Sequence, residues 1–126
     1  MSLLHSKTYI ASGAIAERRI VNPHASLAGQ VVQSSAVSAS MFGVVNQPKG
    51  VATGERVDVV HIGETLVEAG AAFSAGALLT ADSIGRAVAA APAAGTNNRI
   101  IATALEAASA AGDLVRVLIT PCMLQG

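Results

Sequence analysis

Residues 54–60 (GERVDVV) and 112–119 (GDLVRVLI) state one pattern twice: a glycine, an acid, then an alternation built on β-branched residues. Val57 and Val59 fall on one face of an extended chain, with Asp58 on the other. Val115, Val117 and Ile119 do the same, with Arg116 and Leu118 opposite. A period of two matches a pleated strand and not the 3.6 of a helix, so both stretches are predicted to be half-buried strands. The glycine ahead of each suits a turn that needs positive φ, and the acid can cap that turn. A chain that returns to the same closing strand is constrained towards a β-fold made of two related parts.

The chain has 126 residues, enough for one domain with its own core. Hydrophobic residues make up 52% of it, yet only one Tyr and two Phe are aromatic and there is no Trp, so the core must be built from Ala, Val, Ile and Leu. Eight acids balance eight bases, spread singly. With no basic run, nucleic acid is not an expected partner. So low a charge leaves much of the surface to small apolar and hydroxyl residues, a surface often covered by another subunit. Cys122 is the single cysteine, which excludes an intrachain disulfide and reads as a small apolar residue. No segment is apolar for long enough to form a membrane-spanning helix, and the N-terminus lacks a basic region followed by an apolar run. The expectation is a soluble chain made inside the cell, with no membrane partner.

Residues 1–16 show little periodicity and are predicted to be an extended arm, leaving 17–126 as a single β domain. Strands are predicted over 18–22, 29–33 and 42–45, with a hydroxyl-rich loop at 34–40 and breakers at Asn46, Pro48 and Gly50. The second half follows with strands at 78–80, 86–88 and 99–103 before the closing pattern returns. Residues 27–33 (LAGQVVQ) align with 74–80 (SAGALLT). Residues 42–60 align with the stretch from Ile101 if one residue is dropped, as a duplicated β-unit would give. Residues 104–111 (ALEAASAA) carry helix formers but are too short for a free-standing helix. They are expected to be a connection with at most one helical turn. The fold class is therefore all-β, a small barrel or sandwich from two similar halves with an extended N-terminal arm.

Signals for catalysis are poor, and a non-enzyme is expected. His5, His24 and His61 have no metal-ligand spacing, no serine sits in a Gly-x-Ser-x-Gly elbow, and GVATGE at 50–55 has Glu55 and Arg56 where a phosphate loop needs Lys and Ser or Thr. No cofactor or metal is expected. Asp82, Glu55 and Asp113 each follow or precede a turn glycine and read as turn caps. Arg18 and Arg19 form the only basic pair. They could grip a partner's carboxylates, but next to Glu17 they read more simply as a solvated strand end.

The run from Gly70 to Pro121 resembles the capsid cement, or head decoration, proteins of tailed bacteriophages. The family pattern has "aG", an alternating strand, "t-D-x-x-G-x-a-v" and a "G-x-A-l-x-x-a-x-x-G-D-x-v-x-V" close. These are matched here by Gly76, Thr80, Asp82, Gly85, Ala87, Val88, Ala104, Leu105, Gly112, Asp113, Val115 and Val117. Upstream, AIAERRIV at 14–21 and GERVDVV are also similar, so the resemblance covers most of the chain. One departure is that Ala102 and Thr103 stand where the family usually has a glycine before Ala-Leu.

The resemblance implies a small β-rich structural protein on the outer capsid surface of the virion, made in the host cytoplasm. It would bind where major capsid protein subunits meet and stabilise the shell, as an oligomer of itself with a trimer the first choice. The segment 1–16 could add a strand to a capsid sheet edge, and the expected capsid or subunit contacts are Leu3, Leu4, Tyr9, Ile10, Arg18 and Arg19. The alternative is another small β-barrel binding module or a lipoyl- or biotinyl-type carrier domain, the latter also a duplicated β-sandwich. A carrier would need an exposed modified lysine, and Lys7 and Lys49 are the only two, neither in the expected context.

Overall fold

The computed structural model describes residues 5–37, 39–47, 49–92, 94–95 and 97–125. Its regular structure is ten strands: β1 (His5–Ala11), β2 (Ile20–Pro23), β3 (Gln30–Gln33), β4 (Gly43–Val45), β5 (Arg56–Ile62), β6 (Glu64–Glu68), β7 (Leu78–Ala81), β8 (Ala87–Ala89), β9 (Asn97–Ala104) and β10 (Leu114–Gln125). Among the described residues there is no helix. Residues 105–110 are a loop, held by an isolated bridge between Phe73 and Ala108.

The first five strands close a barrel in the order β1-β3-β2-β4-β5, and the last five form a sheet in the order β6-β10-β9-β7-β8. The alternation of the two closing strands is an alternation of burial. In β5, Val57 and Val59 are buried while Arg56 and Asp58 are exposed. In β10, Val115, Val117 and Ile119 are buried while Leu114, Arg116 and Leu118 are exposed. Strand β10 runs on past the predicted end, through an irregularity between Ile119 and Cys122 where Pro121 has no N–H to give.

Several main-chain bonds of one half recur in the other. Ala11 N donates to Glu55 O at 2.9 Å and Ala11 O accepts from Gly54 N at 2.8 Å; Ala69 exchanges the same pair with Asp113 and Gly112, both at 2.8 Å. Val45 N donates to Arg19 O, and Ala104 N to Ala77 O, both at 2.9 Å. The bridge between Ile15 and Val51 recurs as Phe73 and Ala108. Even the parallel contact of β1 with β3 has its counterpart in a single parallel bridge, Ala69 to Ala87, joining the ends of the second sheet. The strands therefore correspond in order, β1 to β6 through β5 to β10.

Two expectations change here. The alignment of 42–60 with the stretch from Ile101 agrees with the bonding, Val45 facing Ala104 and Gly54 facing Gly112. The alignment of 27–33 with 74–80 does not: β7 is the counterpart of β2, and β3 that of β8. The misleading signal was an Ala-Gly step before a short alternation, present in both stretches but at different strands. Residues 1–16 do contain extended chain, but His5–Ala11 is a strand of the barrel itself, antiparallel to β5 from His5↔Ile62 to Ile10↔Arg56 and parallel to β3 at Ile10 and Ala11. Ala11 and Ile15 are each 1% exposed. A segment paired on both sides and carrying core residues belongs to the domain, not to an arm outside it.

Two buried clusters make the core. Ala11, Ile15, Val21, Val31, Val45, Val57 and Val59 fill the first barrel. The second cluster fills the other half and continues without a break into Ile20, Met41, Val44 and Val60 of the first. That continuity makes one folding unit of the two halves. At roughly 1.5–3 kcal/mol for each fully buried Val, Leu or Ile, the shared cluster is a principal source of their cohesion.

Candidate functional site

The junction of the halves gathers the charges that sequence reasoning had left on the surface. Arg19, just before β2, reaches Glu68 at the end of β6 with Nη2 to Oε2 at 3.2 Å, and both side chains are mostly buried. Its Nη1 also donates to Ile84 O at 3.1 Å. Arg86 lies 4.0 Å from the same Glu68 oxygen and 3.1 Å from Asp82. Main-chain bonds reinforce the clamp: Glu68 N donates to Arg18 O at 3.0 Å and Ile20 N to Gly85 O at 2.8 Å. Gly85 has φ +78°, and a Cβ there would meet Gln33 Cγ at 2.8 Å and the carbonyls of Ile20 and Ser34 at 3.2 Å. Only glycine lets this turn sit so close to the other half.

The remaining expected contact residues fall close by or outside the described residues. Leu3 and Leu4 are outside them. Arg18 has φ 55°, unusual for a side-chain-bearing residue, and its Nη1 donates to Asn46 Oδ1 at 2.9 Å. Tyr9 packs, partly buried, against the first core cluster, its hydroxyl 2.8 Å from His61 Nε2, while His61 Nδ1 lies 2.9 Å from Phe42 O. The three rings pack at centroid distances of 4.7–5.6 Å, tilted or edge-on as aromatic quadrupoles prefer. Ile10 is half-buried on β1. Thus Arg18 and Arg19 meet at the junction, whereas Tyr9 belongs to a separate aromatic cluster. Nothing in the spacing of Tyr9, Phe42 and His61 signals that the three would join.

The three acids flagged in the sequence all cap turns. Glu55 accepts from Ala52 N at 2.6 Å, and Asp82 Oδ1 from Ile84 N and Arg86 N at 2.9 and 2.8 Å. Asp113 Oδ2 accepts from Ser109 Oγ at 2.8 Å, Ser109 N at 2.9 Å and Ala110 N at 3.2 Å. Those bonds, the Ser109 hydroxyl first, hold the Asp113 carboxyl below its usual range. His24 stands at the counterpart of Asp82 and caps the same turn, its Nδ1 accepting from Ser26 N and Leu27 N at 3.1 and 3.0 Å.

Two of the clefts among the described residues are shallow, and neither has the arrangement of a catalytic pocket. One, of about 270 Å³, is lined by Arg18, Asn46, Glu64, Thr65, Leu66 and Arg116. The other, of about 320 Å³, lies along the extended end of β10 beside Met41, Arg99 and Cys122. Among the described residues no group of three or more His, Cys, Asp or Glu is placed to hold a metal, and no helix is long and apolar enough to cross a membrane. Lys49, the residue a carrier domain would modify, is exposed in a bend of the loop that joins the antiparallel strands β4 and β5. What the surface does offer is large exposed apolar side chains, among them Leu27, Leu78 and Leu118.

No curated protein sequence is significantly similar to this chain. Among solved structures, the crystal structure of the N base of head fibre gp8.5 of bacteriophage phi29 is similar over 98% of this chain and 100% of that one, with a TM-score of 0.68 at 21% identity. At that identity the likeness is one of fold. The family model of phage cement proteins matches residues 7–119, from the first barrel strand to the closing strand of the second half. The chain belongs to the phage cement protein family.

Proposed function

We propose that this protein binds the outer surface of a phage head at the major capsid protein shell and stabilises it, acting as an assembly of three copies and without catalysis. The match of the cement family over residues 7–119 carries this reading. The fold supports it: ten strands among the described residues, one continuous core across two halves, and acids spent on turn caps and on the junction. The capsid or neighbouring-subunit contacts are proposed at Leu3, Leu4, Tyr9, Ile10, Arg18 and Arg19. For Arg19 the contact must compete with Glu68. The protein would reach the virion surface after synthesis in the host cytoplasm. Purified protein added to expanded capsids that lack it should rebind and raise their melting temperature; absence of binding, or binding that leaves the melting temperature unchanged, would refute the proposal.

A further inference from the structure

The joint between the halves has two different sides, and the internal repeat gives each side a counterpart elsewhere in the chain. On one side are Ile20, Val44 and Val60, each 0% exposed. They share a buried cluster with Val67, Ile101 and Ile119 of the second half, which make up the other side. The counterparts of Ile20 and Val60 are Leu78 and Leu118, and these are 36% and 39% exposed. Thr103, counterpart of Val44, lies between them on β9, its hydroxyl 2.9 Å from that of Thr120. The counterparts of Val67 and Ile101 are Tyr9 and Phe42, which the first barrel leaves half-exposed.

The glycine turn shows the same difference. Gly85 is pressed against the first half, whereas its counterpart Gly29, with φ +78°, has nothing within 4 Å of a Cβ position. The turn leading to Gly29 exposes Leu27 at 48%. Each side of a joint that already exists inside the chain therefore recurs on the opposite half, with Leu78 and Leu118 exposed on one side, and with Leu27 exposed and Tyr9 and Phe42 partly covered by their own barrel on the other.

We infer that these two surfaces cover one another between copies: the β7-β9-β10 face of one molecule, with Leu78 and Leu118, seats on the Leu27–Tyr9–Phe42 end of the next. A second copy is the occupant because one chain carries both surfaces, and the internal joint is an example of their counterparts in contact. The contact is head-to-tail, so it closes into a ring or continues as a filament. The inference rests on the self-assembly proposed above, and the three-copy form is the ring. The polar clamp does not recur. The counterparts of Arg19 and Glu68 are Ala77 and Ile10, and Ile10 N already donates to Gly29 O at 3.0 Å. The contact between copies is thus a side-chain, largely apolar one, with little dependence on salt.

Sedimentation velocity of the full chain tests this. The wild type should sediment as a multi-copy species in both low and high salt. A face variant, Leu78→Glu with Leu118→Glu, and an end variant, Leu27→Glu with Phe42→Ala, should each be monomeric with cooperative melting retained. Mixed in equal amounts they should form a two-copy complex, since each keeps the surface the other lacks. Should Phe42→Ala impair folding, Leu27→Glu alone serves as the end variant and should weaken assembly at least tenfold. A monomeric wild type, assembly undiminished in the variants, or no complex on mixing would overturn the inference. Capsid rebinding by the wild type separates the two readings. If the wild type is monomeric yet rebinds, and the face variant does not, the cement function stands and the face belongs to the capsid.

Discussion

Arg19 and Glu68 meet at 3.2 Å across the junction of two halves that are also held together by apolar contact, main-chain bonds and a second bond from Arg19 to Ile84 O. Neither residue has a charged counterpart in the repeat, so the pair is specific to this joint. With side chains 11% and 17% exposed, it lies between a surface pair, worth little, and a buried one, whose rupture costs several kcal/mol. Arg19→Ala should lower stability by about 2–3 kcal/mol, and Glu68→Gln by less, because the amide still accepts a hydrogen bond from Arg19. Urea unfolding of both single variants and the double variant would measure the coupling. A double variant that loses the sum of the two single losses would show that the residues act independently.

Strand β1 closes the first barrel, and this sets the outcome of N-terminal truncation. Removing residues 1–4 should leave the melting curve within a degree or two of wild type. Removing 1–11 opens β3 and β5 to solvent along one side and takes Ala11 out of the core, so cooperative melting should be lost. Near-ultraviolet ellipticity from Tyr9 cannot serve for the longer deletion, so far-ultraviolet melting is the measurement. A well-folded 12–126 fragment would mean that the barrel can close without β1.

Gly85 and Gly29 hold equivalent turns in different surroundings, which makes them a controlled pair. Both have φ +78°, and an alanine at either incurs a left-handed penalty of about 1 kcal/mol. At Gly85 the new methyl would also meet the backbone carbonyls of Ile20 and Ser34, so Gly85→Ala should cost about 2–3 kcal/mol in all. Equal losses at the two sites, measured by thermal unfolding at a concentration where both are monomeric, would show that the junction yields more easily than its packing suggests.

Asp113 links a turn to pH. Its folded carboxyl titrates below the unfolded value of about 3.9 because the anion accepts three hydrogen bonds. A depressed carboxylate contributes stability that is full above the unfolded value and is lost as pH falls through the folded one. The 109–113 turn should therefore loosen only below about pH 4, in the interval between those two values. Ser109→Ala removes the leading bond and should move the Asp113 midpoint, followed by carboxyl-carbon NMR, upward towards the ordinary value. A midpoint that does not move would assign the shift to the backbone amides instead.

Legibility of the fold from sequence varied with the kind of signal each strand carries. Strands β5 and β10 could be read because Val57, Val59, Val115 and Val117 keep a strict period of two behind a turn glycine. Strand β1 could not: among residues 6–11 (SKTYIA) only Tyr9 and Ala11 pack with the core cluster, and its parallel partner β3 lies beyond a crossover, so no hairpin turn announces the pairing. The repeat was visible where both halves keep a glycine, at Gly54 and Gly112. It was misread where they do not. Gly76 marks the turn before β7, but its counterpart before β2 is Arg18, which adopts positive φ without being glycine. The glycine that matches Gly76 in sequence is instead Gly29, one strand along. The junction itself was beyond reading, since Arg19 and Glu68 are brought together by the docking of two halves and by nothing in the spacing between them.

The placement of β1 has a mechanical consequence. Any pull transmitted through the residues ahead of it would run along the strand, while its hydrogen bonds to β5, in register from His5↔Ile62 to Ile10↔Arg56, lie across that direction. Such a ladder must break in shear, many bonds at once, whereas a strand peeled from its end gives way one bond at a time. A chain tethered by its N-terminal end would thus present its most resistant geometry to the load.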